Sequence, residues 1–492
     1  MRRLLFIVAL AVGLLAVLAA PALAGAATFT VHPSGGNDTH NIQRAFDRAI
    51  AAGPGSVVRL TAGQFSTNTI WVKGFHGTFK GAGQGKTVID ATGPGTVGLH
   101  LDKRGCPVEP FPFLIGFKGG DVSVHDMSFD IEAPGPAVPW TFEGDSTPGL
   151  LTVVLVTGSA DSTFDRVDFV TGYTEEGRIN AFDGLLITGK LHFDANGFPA
   201  AFAPTGGRDR VARCYFSQSY GVACLFLKDG RLTVGGRPGQ GNVFDDNVFP
   251  CGMSDNSDSD IVISHNRMTS YGGNCVVLWA GVEAFASGGD ASALLPPLPA
   301  PRYLIADNTM IASGYTDDSG AVVAGAGGVL VFDLSWLFGV PDRLQALIAH
   351  NTITMDNGGW DGGIDGIGAR CIRVVGNRIR GTGLAGIDVG ADFLTAYGLP
   401  AGPTRGWRLI GNDVSGVDPV SAYGGPAAPI WLGTYASLCL VVGGPKPTRV
   451  LDQGTDDILI NVAKAADLAA PLAAPRLAPS AHAGAAKVVR PF

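Results

Sequence analysis

Apolar and polar residues alternate along this chain in short runs, and the runs recur. Ile261-Val-Ile-Ser-His-Asn266-Arg-Met is followed by Leu304-Ile-Ala-Asp-Asn308-Thr-Met. Ala346-Leu-Ile-Ala-His-Asn351-Thr-Ile, Ile372-Arg-Val-Val-Gly-Asn377-Arg-Ile and Arg408-Leu-Ile-Gly-Asn412-Asp-Val repeat the string. Each puts apolar residues before an Asn and another apolar residue two positions after it. Val122-Ser-Val-His-Asp126-Met-Ser-Phe and Phe164-Asp165-Arg-Val keep the apolar frame with other residues at the turn.

A unit this small cannot bury its own apolar side and must stack on its neighbours. Asn tolerates left-handed backbone geometry at the bend, and stacked Asn side chains can bond along the axis as a ladder. The Asn positions are 42, 43, 26 and 35 residues apart. The shortest spacing approaches one bare coil, and the longer ones imply inserted loops. After the turns come Gly-led strands such as Gly184-Leu-Leu-Ile, Gly221-Val-Ala-Cys, Gly363-Ile-Asp-Gly-Ile and Gly386-Ile-Asp-Val, with Pro429-Ile-Trp-Leu in the same place. The pattern predicts an all-β fold, a single-stranded right-handed parallel β-helix. Leucine-rich repeats fit poorly because their leucine spacing is missing.

The N-terminal region supplies a cap. Asp38-Thr39 can start a helix running to Ala52, with Ile42, Ala45, Phe46, Ala49 and Ile50 on one face. Such a helix could cover the open apolar end of the first coil. Gly55 to Phe65 then reads as the first strand and turn.

Composition fits many short buried strands. Of 492 residues, 71 are Gly, 46% are hydrophobic and only 16% are charged. A disordered chain would be poorer in apolar residues. The net charge of −8 argues against nucleic acid and anionic membranes as partners. Arg2 and Arg3, the apolar run Leu4 to Ala20, and Ala22-Leu23-Ala24 after Pro21 form an export-signal pattern over residues 1–24. No later stretch is long and apolar enough to span a membrane, so a secreted or cell-surface protein is expected. The β-helix is expected over 28–462, and an Ala/Pro-rich tail over 463–492. The seven cysteines lack Cys-x-x-Cys spacing. Cys214, Cys224 and Cys371 sit among apolar residues and read equally as buried small hydrophobes or as disulfide partners.

Asp38-Thr39 … Ile42-Gln43 … Ala45-Phe46, then Val57-Val58-Arg59-Leu60-Thr61-Ala62-Gly63, resembles the start of pectate lyase superfamily β-helix domains. The Asn-turn coils resemble the parallel β-helix repeats of that superfamily, and the resemblance covers about Thr28 to Val462. It implies the fold. The superfamily holds lyases, hydrolases, epimerases, esterases and binding proteins, so it leaves the activity open. Polygalacturonases carry Gly-His-Gly and Arg-x-Lys, and pectate lyases carry Trp-Ile-Asp-His; this chain has none of the three.

The best candidate site follows from the strand register. Asp365 lies between apolar strand residues, as does Asp388, one bare coil further on. On neighbouring strands both would point outward on one face. Trp431 should join the same row, and Asp361 and Asp392 flank it. Paired carboxylates could protonate a leaving group and attack or activate water, or could hold a calcium ion. Trp431 would offer a platform for a sugar ring. The bland alternative is a solvated acidic face.

Other groups are weaker candidates. Asp245, Asp246, Asp255, Asp258 and Asp260 read as a polar loop before a cation site. His265 and His350 read as turn residues. Asp333 and Lys228-Asp229 read as strand-end charges. Gly81-Ala-Gly-Gln-Gly85-Lys86-Thr87 has Lys80 where a phosphate loop needs its first Gly, so a nucleotide site is excluded. Two functions remain: an exported enzyme acting on polysaccharide as a lyase or hydrolase, and a non-catalytic surface protein binding glycans or protein partners.

Overall fold

The computed structural model describes residues 26–91, 113–131, 139–142, 145–148, 150–158, 161–171, 181–193, 199–203, 205–217, 220–225, 230–254, 259–280, 302–316, 322–325, 327–333, 335–338, 344–390, 402–422, 427–444 and 448–464. The signal-like segment, the tail beyond Lys464, Cys106, Lys228-Asp229, Asp255, Asp258 and Asp392 lie outside them.

Most coils contribute three strands. In one coil these are Asp260–Ser264, Arg267–Tyr271 and Val276–Ala280. The first two flank an Asn corner and belong to a 23-stranded sheet; the third belongs to a 13-stranded sheet. Each strand pairs in parallel with its counterpart one coil away, as in Ile261↔Tyr303↔Ala346. This is the expected parallel β-helix.

The corner explains the Asn repeat. Asn266 N and Nδ2 both donate to Asn308 Oδ1 at 3.0 Å, and Asn308 N and Nδ2 donate to Asn351 Oδ1 at 3.0 Å. The ladder continues through Asn377 to Asn412. Asn308 Nδ2 also donates to Ile263 O at 2.9 Å. The residue before each Asn turns the chain left-handed: φ is 59° at His265, 57° at Asp307 and 55° at His350. The ladder has an additional rung at Asn242. The string Gly241-Asn242-Val-Phe already carries the Gly-Asn-x-apolar pattern of Asn377 and Asn412.

Between the sheets runs one apolar core. Phe169, Phe216 and Phe244 stack in it at 4.7 and 4.8 Å between ring centroids. The Gly at the start of the strands makes room for them: a Cβ at Gly184 or Gly221 would press on Phe216 or Phe244.

The first strand, β1 (Thr28–Val31), precedes the helix and pairs with β2 (Ser56–Leu60); Gly55 to Phe65 is therefore not the opening of the solenoid. The cap helix, α1, spans Thr39–Ala52 and buries Ile42, Ala45, Phe46 and Ala49. Ile50 is instead exposed at 37%. Asp38 precedes the helix without a side-chain cap. Its carboxylate is buried and accepts from Ser34 N at 3.0 Å, so it fixes the incoming loop.

Cys214, Cys251, Cys275 and Cys439 are free and buried, whereas Cys371 is free and exposed. The expectation of burial fails at Cys371 because it is the turn residue of its coil, with φ 58°. No helix among the described residues is long and apolar enough to cross a membrane.

Candidate functional site

The row inferred from the strand spacing is present. Asp365 pairs with Asp388, and Asp388 with Trp431, on three successive strands of the 13-stranded sheet. Ile364, Ile387 and Ile430 turn into the core, so the three side chains between them lie on the outer face. Neighbouring parallel strands are about 4.8 Å apart.

The surroundings differ from expectation. Asp365, Asp388 and Trp431 are 2%, 1% and 5% exposed. The solvated-face reading therefore fails. Trp431 packs with Leu384, Ala385, Ala428 and Leu451, and its Nε1 donates to Gln453 Oε1 at 2.9 Å. It is a packed side chain and not an open platform, because its large apolar surface gains more from that cluster than from water.

Burial decides the electrostatics. Asp365 accepts from Gly362 N at 3.1 Å through Oδ1, while its buried Oδ2 has no hydrogen-bond partner. Loss of hydration, then the charges of Asp361 and Asp388, push the Asp365 carboxyl well above its ordinary range. Half-buried Asp361 is pushed up to about 6 by desolvation. Burial and the neighbouring charges therefore favour the protonated form of Asp365, whose titration is linked to that of Asp361.

Such a set suits acid–base chemistry better than a cation. Calcium takes roughly six to eight oxygens. Among the described residues, no group of three or more His, Cys, Asp or Glu side chains converges as a metal centre. Two carboxyls supply fewer oxygens than calcium takes, so an ion here would also need backbone carbonyls or water.

Asn274 was not visible as a candidate. It is 6% exposed, and its Nδ2 is buried without a hydrogen-bond partner. A Cβ placed at Gly327 would strike Asn274 Nδ2 and lie 3.1 Å from Asp365 Oδ2. The missing side chain of Gly327 thus leaves a gap between an amide donor and a carboxyl acceptor. The motif Gly272-Gly273-Asn274-Cys275-Val276, two coils before Asp365, was the available signal.

The remaining candidates are structural. Asp245 accepts from the Tyr215 hydroxyl at 3.1 Å, and Asp246 is a left-handed turn residue. Asp260 pairs with Arg302 at 2.7 Å. Asp333 is buried and accepts from Ser335 N at 2.9 Å. The segment around Trp336 forms a short 3-10 helix, Ser335–Phe338, and its indole lies against Gly368 and Gly402.

No protein-family profile and no curated protein matches the chain. Among solved structures, the A-module of the mannuronan C-5 epimerase AlgE6 from Azotobacter vinelandii overlays with a TM-score of 0.46 at 13% identity. The overlay covers 87% of this chain and 96% of that one. The periplasmic alginate epimerase AlgG gives 0.42 at 14% identity, over 83% and 84% of the two chains. The family 28 exopolygalacturonase of Yersinia enterocolitica gives 0.40 at 15%, over 87% and 75%. The parallel β-helix itself stands on the strand pairing.

Proposed function

We propose that this chain is an exported β-helix protein acting on polysaccharide, with Asp365 and Asp388 as its acid–base pair. One observation carries the reading: two carboxyls sit side by side on one row of a long sheet, in buried surroundings that favour the protonated form of Asp365. A carboxyl held protonated near neutral pH is what a general acid requires. Asp365 would give its proton to the departing glycosidic oxygen as the carbon–oxygen bond breaks. Asp388, as the carboxylate, would take a proton from the attacking water or from the carbon beside a sugar carboxylate. The superfamily that the first coils resemble includes polysaccharide-acting enzymes, and the export pattern over residues 1–24 is compatible with such a substrate.

A second reading is favoured by the burial itself. With under 3% of either aspartate exposed, substrate reaches the pair only if the outer face opens; a glycan-binding protein without catalysis needs no such opening.

Purified protein incubated with acidic and neutral polysaccharides separates the two. Unsaturated ends identify a lyase, and new reducing ends alone a hydrolase. Inverted sugar stereocentres without cleavage, read by NMR, identify an epimerase. Asp365→Asn and Asp388→Asn are each expected to lower product formation at least 100-fold. Wild-type rates in both variants would remove the pair from the mechanism, and binding without any product would establish the second reading.

A further inference from the structure

At one corner of the solenoid, successive coils fill the same place differently. Val276, Val329, Ile364, Ile387 and Ile430 pair one with the next. Two residues before them stand Asn274, Gly327, Gly362, Ala385 and Ala428, in that order. The two alanines pack with Trp431, so apolar contact closes that end of the column. The two glycines leave the column without side chains beside Asp365. A Cβ on Gly362 would strike Asp365 Oδ1, and one on Gly327 would strike Asn274 Nδ2 and lie 3.1 Å from Asp365 Oδ2. The amide of one coil therefore faces a carboxyl two coils later across two glycines.

Asn274 serves the fold poorly where it is. It is buried, and its Nδ2 meets no acceptor. A buried donor without a partner gives up its water and gains nothing in exchange. Among the described residues no hydrogen bond holds this side chain, so a small apolar residue would suit the corner better. Such breaches of a local folding rule concentrate at functional places. The backbone, by contrast, is fixed: Cys275 N donates to Gly327 O and Val276 N to Gly328 O, both at 3.0 Å. A fixed strand thus carries an unmet donor toward an unmet acceptor, Asp365 Oδ2.

The two oxygens of Asp365 are not equivalent. Oδ1 accepts from Gly362 N at 3.1 Å. The titratable groups that act on this carboxyl are Asp361, just before its strand, and Asp388 on the following coil. The preceding coil sets Leu330 opposite it. None of these offsets a negative charge on Oδ2. Within the column, Asn274 alone brings a side-chain donor.

We propose that Asn274 is a positioning residue for Asp365, its amide closing onto Oδ2 as that carboxyl gives up its proton. The proton goes to the departing glycosidic oxygen, and the negative charge stays behind on a buried carboxyl. A donor already in place stabilises that charge without the reorientation that water would need. The motion is a side-chain rotation on a backbone at rest. The proposal rests on the acid–base reading of Asp365 and adds the group that accommodates its carboxylate form.

The test compares the full protein with its Asn274→Ala and Gly327→Ala variants. Asn274→Ala removes the donor, and Gly327→Ala sets a methyl group between donor and acceptor. Infrared titration follows the Asp365 carboxyl, whose band is the one that Asp365→Asn removes. Its midpoint is expected to rise by about one pH unit in both variants, because the carboxylate loses a donor and the protonated form does not. The melting temperature of Asn274→Ala is expected to be no lower than that of wild type, since no hydrogen bond is lost. On a polysaccharide that the wild type turns over, kcat is expected to fall about 3-fold to 10-fold with KM little changed. The alkaline limb of the pH–rate profile should move up with the midpoint. An unmoved or lowered midpoint in folded Asn274→Ala overturns the proposal, whether or not the rate falls. A band that moves when calcium is added also overturns it, because a cation then takes the place given to the amide. A raised midpoint in a protein that turns over no polysaccharide keeps the contact between Asn274 and Asp365 and removes the catalytic reading on which it was placed.

Discussion

On the 23-stranded sheet, strands such as Asp260–Ser264 and Arg302–Ala306 alternate between buried and open positions along their length. On the 13-stranded sheet, Ile364–Ile367 and Ala385–Val389 bury every residue. Both sheets share one core and one mode of pairing. They differ in what lies on the far side. A sheet with one wet face lets its charges pair in water, as Arg166 does with Asp126. A sheet with two dry faces forces an acid to hold its proton or leave a charge uncompensated, and Asp365 is such an acid. The chemistry of this protein is therefore expected on the dry sheet.

The largest test of this contrast is at the corner that opens the wet sheet's second strand. Asn308→Ala removes the acceptor for Asn266 N and Nδ2, and the donors to Ile263 O and Asn351 Oδ1. Buried backbone and amide groups are then left unpaired on both neighbouring coils, at about 1–3 kcal/mol for each group. We expect a loss of about 3 kcal/mol in unfolding free energy, measured by denaturant titration with circular dichroism. A loss under 1 kcal/mol would mean that the coils are held by the core alone.

The same contrast explains what the sequence could and could not disclose. The Asn corner was legible because a buried amide ladder needs one residue type at one place in every coil. Asp365, Asp388 and Trp431 could be placed on one row because parallel stacking conserves register. Their burial was not legible. Alternation shows that a side chain faces away from the core, but not whether something covers it there. Trp431 carried a hint, since a large apolar side chain on an outer row is an unfavourable surface residue. Asn274 escaped because its partner across Gly327 comes from a different coil, and no local string marks that meeting. The helix boundary was read correctly while the role of Asp38 was not, because a capping residue type serves equally well to hold the preceding loop.

The second prediction concerns pH and separates dry acids from wet ones. Asp209 lies on the core-facing side of the 23-stranded sheet, accepts from Ser162 Oγ at 2.6 Å, and is pushed up to about 7 by burial. Asp361, at about 6, and Asp365 shift in the same direction. A raised folded-state value means that the folded protein binds more protons than the unfolded chain. The stabilisation is complete below the ordinary carboxyl value near 3.8 and is lost as pH rises through 6 and 7. Stability is expected to fall between pH 4 and 7 by up to about 1.4 kcal/mol per pH unit for each such group. Asp209→Asn should flatten this slope and raise the melting temperature at pH 8. A wild-type melting temperature that climbs steadily from pH 4 to pH 8 would show that these acids are solvated in the folded state.

The smallest effect is expected where an acid sits on the outer face of the wet sheet. Asp126 is held at about 2, first by its hydrogen bond from Arg166 and then by His125, against some desolvation. A depressed folded-state value reverses the sign. This stabilisation is present above pH 4 and lost as pH falls through 2. The pair is partly open, with 28% of the Asp126 side chain and 40% of the Arg166 side chain exposed, so solvent screens most of its Coulomb energy. Asp126→Asn is expected to cost no more than about 1 kcal/mol at pH 7. That cost should shrink in 0.5 M salt, whereas the cost of Asn308→Ala should not. Equal salt sensitivity in the two variants would remove the distinction between a charged wet face and a hydrogen-bonded dry corner.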